Sequence, residues 1–182
     1  MTAHPTDDAL LAEEPDVAPG TDYAAFFDRT LRWLLTVTGV VGLVAAFTLT
    51  VEKIALVADP SYVPTCSISP VLSCGSIMST EQAELFGFPN PLMGLVAFSV
   101  LITSGVVLAT GARLPRWYWL GLQGGATLGL VFVAWLVEES LYDIGALCPY
   151  CMVVWAVVIR LFVLQVGMRV SSPPPMSSMR SR

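Results

Sequence analysis

The chain has 182 residues, 55% apolar and 13% charged, with a mean hydropathy of +0.71. That leaves room for one domain and excludes an ordinary soluble one. The formal net charge of −5 comes from the first 28 residues, which hold seven carboxylates and no Lys or Arg; beyond them nine basic and seven acidic residues leave +2, and nothing points to nucleic acid. The single histidine, His4, also lies in that stretch, which removes imidazole metal sites and histidine bases from the rest of the chain.

In chain order, residues 1–28 read as a disordered acidic cytoplasmic tail, because Asp, Glu, Ala and Pro dominate. Without a basic start or an early apolar stretch it is not a cleaved signal peptide. Four apolar spans follow, at about 30–57, 91–110, 117–137 and 149–166, each near the ~20 residues that cross a bilayer. Continuous apolarity without period-2 alternation selects helices over a barrel. The expected fold is therefore an all-α integral membrane bundle of four transmembrane helices over residues 29–170, with 171–182 a second disordered cytoplasmic tail. In the 58–90 loop, Ser79-Thr80-Glu81-Gln82 has the form of a capping box. It predicts a short half-helix through Phe86, stopped by Gly87 and Pro89, that roofs the bundle. On the third span Gly121, Gly125 and Gly129 form a small-residue ridge, expected to pack within a monomer.

Lys and Arg placement orients the spans. Arg29 and Arg32 precede the first, Arg113 and Arg116 fill the second connection, and Arg169, Arg180 and Arg182 follow the fourth. The other two connections carry acidic residues instead. Both termini are expected in the cytoplasm of a bacterial plasma membrane and all four cysteines on the outer face, where disulfides persist.

The cysteines form two pairs. Cys148-Pro149-Tyr150-Cys151 opens the fourth span, and Pro149 suits a first helical position, which puts Cys148 at the N-cap. The helix N-terminus should favour its thiolate, while Cys151 lies one turn deeper among lipid-level groups. Cys66 and Cys74, with seven residues between them in an irregular loop, can close a small disulfide that stays exposed enough for exchange. An all-thiolate metal site needs two tight knuckles; one pair here is stretched, so no metal is expected.

Together, Cys66-x7-Cys74, then Thr80, Phe86-Gly87 and Pro89, then Cys148-x-x-Cys151 opening the last helix resemble the disulfide-forming bacterial members of the vitamin K epoxide reductase family. The resemblance spans about residues 30–168. It implies a quinone-dependent oxidoreductase in which a thioredoxin-like (DsbA-like) outer protein reduces the Cys66–Cys74 disulfide. Cys74 then exchanges with Cys148, and Cys151 passes electrons to a membrane quinone of the menaquinone, ubiquinone or vitamin K type. Phe86, Trp135, Met152 and Trp155 are the expected pocket. Ser79 or Thr80 offers a hydroxyl where family members often place a serine, although helix capping explains both equally. DsbB-type oxidases use the reverse order of pairs. A non-enzymatic membrane scaffold with two structural disulfides is the competing class, weakened because an i,i+3 bridge encloses almost no chain.

Overall fold

The computed structural model describes residues 21–171 apart from residue 113; of the expected tails, 1–28 and 171–182, the stretches 1–20 and 172–182 lie outside the described residues. Four long helices carry the fold: α1 (Thr21–Ala58), α3 (Pro91–Ala109), α4 (Arg116–Glu139) and α5 (Pro149–Ser171), with a five-residue α2 (Cys74–Met78) in the loop after α1. All four long helices are apolar and long enough to cross a membrane, and the chain is an all-α four-helix membrane bundle. The first helix begins at Thr21, eight residues before the expected boundary.

Helix limits follow from local chemistry. Pro60 cannot continue α1, and Asp59 Oδ1 turns the chain by accepting from Ser61 N at 2.9 Å. Pro91 and Pro149 open α3 and α5, where the missing N–H costs nothing. After α4 a π-helical turn, Ser140–Ile144, ends at Gly145, whose φ of 67° suits glycine. That reversal delivers the chain to Leu147 and Cys148.

Packing centres on α1, which lies against α3 and α5, with α4 against α5. The shared core includes Leu35, Ala46, Phe98, Leu101, Ala126, Val157 and Leu161. Glycines permit the tightest seam, between α1 and α3: a Cβ on Gly42 would enter the Phe98 ring, and one on Gly39 would come within 2.7 Å of Ile102 Cγ1. The expected ridge on α4 behaves differently. A Cβ on Gly129 would come within 3.8 Å of Val158 Cγ1, but Gly121 and Gly125 have open space before them, so the intramolecular seam belongs to α1 and α3. Outward-facing Phe47, Leu120, Leu128 and Val131 would be costly in water and are at home in hydrocarbon.

Between α3 and α4 the bundle opens sideways. Ser104 and Tyr118 hydroxyls join the two helices at 2.7 Å. Beside that link lies a shallow, open depression of about 500 Å³ lined by Leu95, Val96, Ser99, Val100 and Thr103 of α3 and by Tyr118 of α4.

The loop before α3 departs from expectation. The predicted half-helix is only a 3-10 turn, Glu81–Glu84, and no capping box forms. Ser79 Oγ instead donates to Gly75 O at 2.9 Å and Ser76 O at 3.2 Å, closing α2. Thr80 Oγ1 likewise donates to Ile77 O at 2.8 Å. The helical turn that the cysteine loop supports starts six residues earlier, at Cys74, capped by Ser73 accepting from Ser76 N.

Candidate functional site

Two loops from opposite sides of the bundle meet at one end. Leu72 and Leu147 form a parallel β-bridge: Leu147 N donates to Val71 O at 2.7 Å, and Ser73 N to Leu147 O at 3.0 Å. Cys148 follows Leu147 directly, and Cys74 follows Leu72 after one residue, the helix cap Ser73. The bridge therefore sets Cys74 Sγ 3.0 Å from Cys148 Sγ across 74 residues of sequence.

Cys66 and Cys74 are joined in a disulfide, and Cys148 and Cys151 are free thiols. The sulfurs of Cys66, Cys74 and Cys148 all lie within 4.8 Å of one another. Leu49 and Met78 pack around them, with Ile77 and Tyr150 at the edge. The loop pair is less accessible than expected: Cys66 is 4% exposed and Cys74 0%. Glu52 holds the loop down against α1 through Thr65 and Tyr62, which is why this disulfide does not sit open to solvent.

Cys148 sits where the Pro149 signal put it. Its sulfur accepts from Cys151 N at 3.4 Å and caps α5. A hydrogen bond from the Cys151 side chain lowers its pKa from the ordinary thiol range, burial opposes that, and the Cys151 and Tyr150 backbone N–H groups add to it. Cys148 thus has the lowered pKa expected of an attacking or leaving sulfur, while Cys151 is only half-buried on the first turn of α5.

The residues expected to line a ligand pocket are placed unevenly. Phe86 and Trp135 come together through Phe132, whose ring centroid is 5.9 Å from Phe86 and 6.1 Å from Trp135. Met152 and Trp155 stand on α5, Met152 on an exposed face. The hydroxyls of Ser79 and Thr80 are engaged by backbone carbonyls. Sequence reasoning missed Phe132, one turn from Trp135, and Asn90. Asn90 reads as a turn residue beside proline. Its Nδ2 donates to Gln82 O at 2.7 Å, while its Oδ1 is buried without a partner among the described residues. Also missed were Glu52 and Lys53, which in sequence look like an interruption of the first span.

The model of the vitamin K epoxide reductase family matches residues 33–166. The chain belongs to that family, and is a multi-pass membrane oxidoreductase of thiols and disulfides.

Proposed function

From that membership, we propose that this protein is a quinone-dependent oxidase that regenerates the disulfide of a thioredoxin-like protein outside the cytoplasm. The observation that carries the reading is the 3.0 Å approach of Cys74 Sγ to Cys148 Sγ, between one oxidised and one reduced pair. Two structural disulfides would not leave the second pair as thiols beside the first. The Lys and Arg distribution supports a cysteine end facing outward and cytoplasmic termini, in a bacterial plasma membrane.

The relay balances at each step. A partner thiolate attacks Cys66 Sγ, breaking the Cys66–Cys74 bond and freeing Cys74 as a thiolate. The partner's second thiolate displaces Cys66, so the partner leaves oxidised and the loop pair is reduced. Cys74 then attacks Cys148 of a Cys148–Cys151 disulfide, releasing the Cys151 thiolate; Cys66 attacks Cys74 and releases Cys148. The described pairing, Cys66–Cys74 bonded and Cys148 and Cys151 free, is the pattern such an exchange would leave. Because Cys66 is nearly fully buried, the first step needs the loop to lift locally.

A bound quinone would supply the acceptor chemistry, for the two electrons and two protons that the Cys148–Cys151 dithiol gives up as it closes to a disulfide. The residues fit such a ring. Asn90 offers a buried, unpaired acceptor oxygen suited to a quinol hydroxyl. Phe86, Phe132 and Trp135 offer aromatic faces. The opening between α3 and α4 suits an isoprenoid chain. Met152 and Trp155 would complete the apolar wall, with Ser79 and Thr80 supporting α2 rather than the ring.

The test is anaerobic quinone reduction by a dithiol, using purified protein beside its Cys151→Ser variant. Reduction that disappears in the variant supports the reading. Absence of turnover with the wild type, across ubiquinone, menaquinone and vitamin K analogues, would move the weight to a structural scaffold.

A further inference from the structure

Two consecutive charged residues sit at the cysteine end of α1, Glu52 at 5% exposure and Lys53 at 8%. Burying charge is costly unless each group is satisfied, and here each is satisfied by a different arm of the cysteine loop. The Glu52 carboxylate accepts from Tyr62 OH at 2.9 Å, from Thr65 N at 3.3 Å and from Thr65 Oγ1. Thr65 is the residue before Cys66. Lys53 Nζ donates to Met78 O at 2.6 Å, at the far end of the short helix that Cys74 opens. It also pairs with Glu84 at 2.8 Å in the following 3-10 turn. Successive side chains leave a helix about 100° apart, so one dipeptide reaches both arms.

The geometry points to Glu52 and Lys53 as positioning residues that keep Cys66 and Cys74 in register with Cys148 while the loop disulfide is open. This rests on the relay proposed above. With Cys66 and Cys74 bonded, the covalent link itself holds the arms together. Once that bond is reduced the arms can part, yet two further attacks remain: Cys74 on Cys148, then Cys66 on Cys74. The Leu72–Leu147 bridge holds Cys74 from one side. Within the loop, Ile68 N and Ser69 N donate to Leu72 O at 2.8 and 3.1 Å and Gly75 N donates to Ser67 Oγ at 3.2 Å, but these bonds tie the loop to itself and not to a long helix. The anchors from α1 are Glu52 for the Cys66 arm and Lys53 for the Cys74 arm. A displacement of about 1 Å can cost on the order of 10²-fold in such a step.

The experiment starts from fully reduced protein mixed anaerobically with excess short-chain ubiquinone, following quinone absorbance. Wild type should consume two quinones per chain in two phases. The first empties the Cys148–Cys151 pair; the second is limited by exchange from Cys66 and Cys74. In Glu52→Ala and Lys53→Met the second phase should slow by about 10²-fold with the first unchanged, and Lys53→Arg should restore it. Thr65→Val, which removes one donor to Glu52 and is mild enough to fold, should slow it by an intermediate factor. A general loss of structure would slow both phases together. A second phase at the wild-type rate in Glu52→Ala and Thr65→Val, or parallel slowing of both phases, overturns the positioning role. Failure of the relay itself looks different: the wild type then shows no second phase.

Discussion

Removing Cys66 and Cys151 together leaves Cys74 and Cys148 as the two remaining thiols, 3.0 Å apart. A disulfide needs a sulfur separation of about 2.05 Å, so closure requires a movement of about 1 Å between groups already at near-attack distance. Effective concentrations for such oriented pairs reach about 10⁵ M, so intramolecular closure should outrun capture by any dissolved thiol. With diamide accepting the two electrons and two protons, the Cys66→Ser/Cys151→Ser protein should form the Cys74–Cys148 bond nearly completely. The link encloses 75 residues, against nine for Cys66–Cys74. Chain entropy alone then gives about 4.5 kcal/mol for the new link and about 2.6 kcal/mol for the native one. Oxidised double variant should therefore unfold at a higher temperature than its own reduced form, by a larger increment than the loop disulfide gives in a Cys148→Ser/Cys151→Ser protein. Acid quench, alkylation and non-reducing peptide mapping would read the bond directly. Full alkylation of both cysteines after diamide would refute the adjacency on which the relay depends.

Three further outcomes follow from particular contacts. Leu147→Pro removes the N–H that Val71 O accepts at 2.7 Å, and should slow exchange between the pairs by about 10²-fold while a dithiol still reduces Cys148–Cys151; this is read from stopped-flow phases. Gly42→Val should destabilise the bundle by about 1–3 kcal/mol through overpacking on Phe98, whereas Gly125→Val, facing open space, should change it by less than about 0.5 kcal/mol; denaturant melts in detergent compare them. The Cys148 pKa is lowered in the folded protein, so its stabilising share is complete above the ordinary thiol value of about 8.5 and is lost as pH falls through the folded value. Stability of wild type relative to Cys148→Ser, measured as pH is raised, should climb from the folded value towards that point.

Much of the fold was legible because a bilayer imposes a simple rule. Long apolar runs must be helices, and Pro91 and Pro149 mark where two of them begin. The start of α1 was not, because Thr21–Asp28 carries acidic residues that read as tail and yet continues the helix. The Ser79–Gln82 box misled for a local reason: the same hydroxyl can cap a helix that follows or close one that precedes, and the backbone at Gly75 and Ser76 claimed it. The α4 glycines misled differently. Spacing shows that a close approach is possible, and only the packing shows that Gly39 and Gly42 received it.

Cysteine spacing identified two pairs but could not say how they meet. That depends on a bridge between Leu72 and Leu147, two apolar residues with no chemical signature of their own, whose positions matter because each stands just ahead of a cysteine or its cap. Glu52 and Lys53 are the opposite case. They are conspicuous in sequence, since charges near the end of a membrane span are costly and tend to be kept for a reason. The reason cannot be read from the span, because their partners lie 10 to 31 residues downstream in an irregular loop. A loop that must open and close during catalysis cannot rely on its own disulfide for shape. Anchors on a rigid helix, outside the bond being broken, meet that requirement, and a buried acid and base side by side on α1 supply one for each arm.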